Sequence, residues 1–141
     1  MSKYRLLDHV VRFAEKHSDD PKLKVGACVV VGHSHTFGTN RFYNLPEGKI
    51  KEEVVLDRNL KLQYITHAEV DAITHSSNAK GGIIYVNYTP CDKCAQKIVD
   101  AGIKKVVSVK QTNQAVIDRW LKYWIVGQEI LKNGGVEFVE E

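Results

Sequence analysis

Apolar residues recur at helical spacing through positions 3–17. Leu6, Leu7, Val10, Val11, Phe13 and Ala14 are interleaved with Arg5, Asp8, Arg12, Glu15 and Lys16. This predicts an amphipathic helix with one buried face. Ser18-Asp19-Asp20-Pro21 ends it, because proline lacks an amide proton and restricts the residue before it. The pattern then changes period. Positions 25–31 form a nearly continuous, valine-rich run, which predicts a buried strand. Gly32-His33-Ser34-His35 reads as a turn and 36–40 as a second strand. Periodicity fades over 41–62, a charged, irregular stretch with room for one short helix. A loop of this length in a small domain is usually functional. It is either a solvated excursion or a lid.

Regular patterning returns at His67. Ala68, Val70, Ala72 and Ile73 predict a helix to about His75, and 76–82 is a cluster of turn residues. Positions 83–88 predict a strand. Thr89 suits a helix N-cap and Pro90 a first helical position, so a helix is expected from there to Ala101, ended by Gly102. A strand over 105–109, a long helix over 113–132 and a last strand over 136–139 complete the chain. Alternating helices and strands after an opening helix and hairpin predict one α/β domain over residues 1–141, its single sheet covered on both faces.

Composition changes this picture little. Hydrophobic residues make up 43% and charged residues 26%, ordinary values for a globular protein. Nothing approaches the roughly 20 apolar residues that span a bilayer. The charged start, without an apolar run after it, carries no signal-peptide pattern, and a cytoplasmic location without membrane partners is expected. A net charge of +3 suits a small anionic ligand and gives no basic stripe for nucleic acid. The three cysteines, an odd number, argue against a disulfide framework. Cys28 lies in the apolar 25–31 run and reads as a buried strand residue. His33 and His35 sit in the predicted turn without a cysteine or carboxylate, which fits a solvated turn better than a metal site. Trp120 and Trp124 read as core or interface aromatics, with base stacking as the less favoured use.

The candidate chemistry lies in two short segments. His67-Ala68-Glu69 opens one predicted helix, and Pro90-Cys91-Asp92-Lys93-Cys94 opens another. His67, Cys91 and Cys94 are nitrogen and sulfur donors of the kind zinc prefers, and three protein ligands leave a fourth position open. Cys91 and Cys94 are three apart on one helix, so they share a face. Near a helix N-terminus the thiolate form is favoured. Glu69 is placed to move protons, and an open zinc site beside a carboxylate generates a hydroxide nucleophile at neutral pH. Either motif alone is weak. Together, each opening a helix, they are a strong signal. The competing reading is a closed, structural zinc site with His75 or Cys28 as fourth ligand, which leaves Glu69 without a role.

The His-x-Glu and Pro-Cys-x-x-Cys pair resembles the zinc-dependent cytidine and deoxycytidylate deaminases. The resemblance runs from about Asp20 to Val139 and is nearest to the deoxycytidylate (dCMP) branch. It is carried by Lys24-Val25-Gly26-Ala27, by Gly38-Thr39-Asn40, by Asp57-Arg58-Asn59-Leu60-Lys61 and by the segment from Cys94 to Lys104. It implies a three-layer α-β-α fold with a central five-stranded mixed sheet and one Zn2+ per chain. It also implies conversion of dCMP to dUMP, a homo-oligomer, hexameric by preference, and regulation by dCTP and dTTP. Glu69 is then the proton shuttle. Asn40 is the implied sugar contact, and Ala68, Thr89 and Pro90 the further substrate contacts. Two departures stand out. Asp71 occupies a position where the family usually has asparagine, and Arg41 follows Asn40 where glycine is common. Alternative readings are a deaminase of a 5-substituted dCMP, one acting on tRNA or single-stranded DNA, and a catalytically silent nucleotide-binding module.

Overall fold

The sheet has five strands in the order β2-β1-β3-β4-β5. They are β1 (Gly26–Val31), β2 (Ser34–Thr39), β3 (Ile83–Val86), β4 (Lys105–Ser108) and β5 (Glu137–Glu140). β1 pairs antiparallel with both β2 and β3, and β3, β4 and β5 run parallel. The sheet is therefore mixed, as expected. The structure, a computed structural model, describes residues 5–45 and 51–141. No helix among these residues is long and apolar enough to cross a membrane.

Two glycines show which helix covers which face. Gly26 and Thr39 are cross-strand partners, as are Ala27 and Gly38. Because side chains alternate along a strand, the two pairs face opposite sides of the sheet. A Cβ on Gly26 would lie 2.4 Å from the Val10 carbonyl of helix α1 (Leu6–His17). A Cβ on Gly38 would lie 2.3 Å from the Ala72 amide of α4 (Ala68–His75). So α1 and α4 lie on opposite faces, each pressed close because its contact residue has no side chain. The larger core lies on the α4 side. Val29, Ile84 and Val106 from the sheet meet Ala68 and Ala72 of α4 and Ala95 and Ile98 of α5 (Asp92–Asp100), all essentially without solvent contact. The long α6 (Gln114–Asn133) packs along α5 and places Leu131 in the same core. This gives the three layers.

Several boundaries differ from the sequence expectation. The hairpin turn is tighter, since Ser34 and His35 already belong to β2. β3 ends at Val86, two residues early, because Asn87 turns its side chain back into the sheet edge: it accepts from the Gly26 amide at 2.9 Å and donates to the Lys24 carbonyl at 2.9 Å. The stretch 41–62 holds two helices, α2 (Lys51–Leu56) and α3 (Arg58–Tyr64). Asp57 caps α3 through the amides of Asn59 and Leu60. Part of this stretch, residues 46–50, lies outside the described residues, and the expectation of a lid falls partly on them.

Candidate metal centre and active site

Two helix N-termini converge beyond the carboxyl end of β3. His67 is the N-cap of α4 and Cys91 the N-cap of α5, and neither side chain makes a capping hydrogen bond to its helix. The α5 start corrects the expected one. Thr89 and Pro90 are not its N-cap and first residue but lie buried in the segment before it. Serine, threonine, aspartate or asparagine at an N-cap normally spends its oxygen on the orphan amides. Histidine and cysteine there keep their donor atoms for something else. Cys94 lies one turn into α5 and is 1% exposed.

The donor atoms of His67, Cys91 and Cys94 all lie within 4.8 Å of one another. Cys94 Sγ is 3.4 Å from His67 Nδ1. Ligands of a tetrahedral zinc, at bond lengths of about 2.3 Å to sulfur and 2.0 Å to nitrogen, sit roughly 3.5 Å apart. The donor set and its spacing fit zinc. Electrostatics agree. The Cys94 thiol and the His67 ring hydrogen-bond to Cys91, and together they lower its pKa to about 4. The same contact raises Cys94, which holds the proton, and raises His67 against the opposing effect of burial. The cluster thus favours the thiolate form at Cys91, the form in which a cysteine binds zinc.

No fourth side chain closes the cluster among the described residues. Cys28 and Phe37 are cross-strand partners, and Phe37 packs against Phe13 of α1 in a tilted ring contact, so Cys28 lies on the other face of the sheet. Burial raises its pKa to about 12 and keeps it an inert thiol. His75, at the far end of α4, is engaged with Asp71. The closed-site reading therefore has no ligand to offer. No second metal cluster occurs among the described residues either, and His35 Nδ1 instead faces the His33 carbonyl at 3.2 Å.

Glu69 lies in the first turn of α4, 4% exposed. Burial pushes its carboxyl above the usual range and nearby His67 pulls it back. It faces a cleft of about 380 Å³ shared with His67, Ala68, Thr89 and Cys91. Tyr88, Trp120 and Trp124 form an aromatic wall, and Tyr88 and Trp124 are stacked at 6.5 Å. Both tryptophans therefore serve the cleft, although Trp124 is also nearly buried. Lys22, Lys61 and Arg119 supply its positive charge. Of these, Lys61 Nζ is held at 2.7 Å by the buried Asp20. Sequence reasoning singled out neither Asp20, Lys22 nor Arg119 as a site residue. Asp20 reads there as part of a helix stop and, with Pro21, as part of the resemblance, and Lys22 and Arg119 receive no role.

Asn40 also lines the cleft, 5% exposed, but its amide already works. Its oxygen accepts from Ser18 Oγ and from the Val25 amide at 3.1 Å, and its nitrogen donates to the Leu23 carbonyl at 2.8 Å. A second N–H remains that none of these contacts uses. Pro90 is buried and does not line the cleft. Its carbonyl oxygen faces Gly127 of α6, where a Cβ would lie only 2.2 Å away. Gly127→Ala is accordingly expected to force α6 off the Pro90-Cys91 segment and to destabilise the fold by roughly 1–3 kcal/mol. Thermal unfolding checks this, and an unchanged midpoint would show that the helix yields freely.

A family model described as "Cytidine and deoxycytidylate deaminase zinc-binding region" matches residues 1–110. Human deoxycytidylate deaminase is 33% identical over 106 residues, which cover 70% of this chain and 59% of that protein. The chain thus spans about six-tenths of the length of that relative. An uncharacterised deaminase encoded in the luxG 3′ region of Aliivibrio fischeri is 33% identical over 121 residues, 85% of this chain and 80% of that one. Among solved structures, dCMP deaminase of the cyanophage S-TIM5, in complex with dCMP and dUMP, superposes with a TM-score of 0.67 at 24% identity, over 96% of this chain and 93% of that one. That likeness establishes the three-layer fold. The family match, which spans both candidate metal-binding segments, places this chain in the cytidine and deoxycytidylate deaminase zinc-binding family.

Proposed function

We propose that this chain is a zinc-dependent hydrolase that converts dCMP to dUMP. The observation that carries the reading is an open three-donor cluster with a buried carboxylate, set in a cleft with an aromatic wall and cationic side chains. The cleft falls in the usual range for a small-molecule site, about 300–1,000 Å³. Its aromatic rings suit a pyrimidine, and its cations suit a phosphate.

His67, Cys91 and Cys94 would hold the zinc, which when bound supplies Lewis-acid activation of water. Glu69 does the proton work. It takes a proton from the water attacking C4 of the cytosine ring and delivers it to N3. The other water proton then leaves with the exocyclic amine as ammonia, the C4–N bond breaks, and the C4 carbonyl of uracil remains. Burial keeps the carboxylate free of competing bulk water. Asn40 offers its unused N–H to the sugar, while Ala68 and Thr89 line the approach. Lys61 is committed to Asp20, which leaves Lys22 and Arg119 as the candidates for the phosphate.

We also read the protein as a homo-oligomer. Leu121, Tyr123, Ile125 and Val126 on α6 are each more than 40% exposed, an apolar surface of the kind that subunits cover. Sedimentation analysis tests this, with a hexamer as the expected species. Regulation by dCTP and dTTP belongs to the same reading and is tested by adding each to the assay.

The test of function is ammonia release with dCMP, deoxycytidine, CMP, 5-methyl-dCMP and a cytosine-containing single strand side by side. Turnover of dCMP well above deoxycytidine is expected. Arg119→Ala should remove most of that preference by raising KM for dCMP alone. Turnover of the strand but not the nucleotides would overturn the reading.

A further inference from the structure

The two departures from the family pattern, Arg41 and Asp71, are far apart in sequence but meet in the fold. Asp71 is 2% exposed and sits two residues after Glu69 on α4. Its carboxylate gathers the end of β2. The Thr39 amide donates to Oδ2 at 2.9 Å, the Tyr43 hydroxyl donates to Oδ1, and Arg41 Nε lies 3.7 Å from Oδ2. Two cations face it, Arg41 and His75, the latter at 3.2 Å. His75 is charged only when protonated, whereas Arg41 is always charged. A buried carboxylate without a partner is costly, so Arg41 is its standing counter-ion.

Arg41 is held from other directions as well. Its guanidinium lies over the Phe13 ring of α1, 5.7 Å from the centroid. Its backbone exchanges two hydrogen bonds with Thr66, at 3.0 and 2.7 Å. Thr66 directly precedes the metal ligand His67, and Arg41 directly follows Asn40. Its Nε is buried and makes no hydrogen bond among the described residues, so the bond to Asp71 is one of charge. Neither Arg41 nor Asp71 lines the cleft.

We infer that Arg41 and Asp71 are a matched positioning pair that ties the end of β2 to α4, and so fixes Asn40 and His67 relative to Glu69. An asparagine at 71 could accept only one of these two hydrogen bonds with its single oxygen; its NH2 would face the other partner as a donor, and it carries no charge. The buried carboxylate is tolerated because the guanidinium accompanies it.

The test is a double-mutant cycle of Asp71→Asn, Arg41→Met and the double variant. Zinc affinity is read by chelator competition, kcat and KM on dCMP, and stability by thermal unfolding. Each single variant should weaken zinc binding and lower kcat/KM by about tenfold, the scale seen when a support of a metal ligand is removed. Arg41→Met should lose more, because it strands a buried charge. The double variant should recover both to within about threefold of the wild type, since neighbouring residues couple. Two results would overturn the inference. In one, the double variant is as poor as the product of the singles. In the other, the singles lose thermal stability alone and keep wild-type zinc affinity and kcat/KM. The kinetic arm rests on the dCMP reading. A wild type inactive on dCMP sinks that reading, while the zinc arm still decides this one.

Discussion

Glu69→Gln is expected to lower kcat for dCMP by about 100- to 10,000-fold, the range in which a positioned acid–base group acts. Glutamine matches glutamate in shape, so α4 and its packing should survive. What it lacks is a lone pair basic enough to accept the proton of the attacking water. The loss should fall on kcat with little change in KM, since the group is needed in the transition state and not for binding. Zinc content should stay at one per chain, because the candidate donor cluster is His67, Cys91 and Cys94 and does not include Glu69. A kcat within tenfold of the wild type, with zinc bound, would remove Glu69 from the mechanism.

The second large effect concerns the metal. Cys94→Ala should abolish stoichiometric zinc binding and activity together. Cys94 is 1% exposed, one turn into α5, and its sulfur is 3.4 Å from His67, so no side chain nearby replaces it. A ligand that binds only the folded state, present at a thousand times its Kd, stabilises by about 4 kcal/mol. For a chain of this length that corresponds to roughly 8–16 °C in Tm. Zinc-loaded wild type should therefore melt higher than Cys94→Ala by that margin, and stripping zinc with a chelator should bring the two together. Cys28→Ala is the control. Its sulfur lies on the other face of the sheet, so zinc content should not change. Zinc lost equally from both variants would mean that the cluster is not the site.

The resemblance and the residues reached the reactive centre from sequence because the encoding there is local. His67 and Glu69 fall in one helical turn, as do Cys91 and Cys94, and each pair lies at the start of a helix. The strands were legible for a similar reason. The valine-rich 25–31 run and the short apolar runs near 83 and 105 have most of their side chains buried, while the run near 136 forms an edge strand that is only half-buried. Where local signals competed, the reading slipped. Thr89-Pro90 carries the residues of a helix start, yet α5 begins at Asp92. Packing decided that case, since the Pro90 carbonyl must face Gly127 on a helix nearly forty residues later.

Sequence alone picked out the three residues that the fold gathers into the candidate metal cluster, the carboxylate proposed beside them and the order of the strands, because each depends on residues within a turn or a strand of one another. It did not determine the walls of the cleft. Asp20, Lys22, Tyr88, Arg119 and Trp120 share that space only because β1, β3 and α6 are brought together by strand order and helix packing. Nor did it show that Arg41 and Asp71 belong together. A single residue carries no mark of its partner thirty positions away. Only the tertiary structure joins them, by bringing the end of β2 against α4, where a buried carboxylate must have a cation within reach.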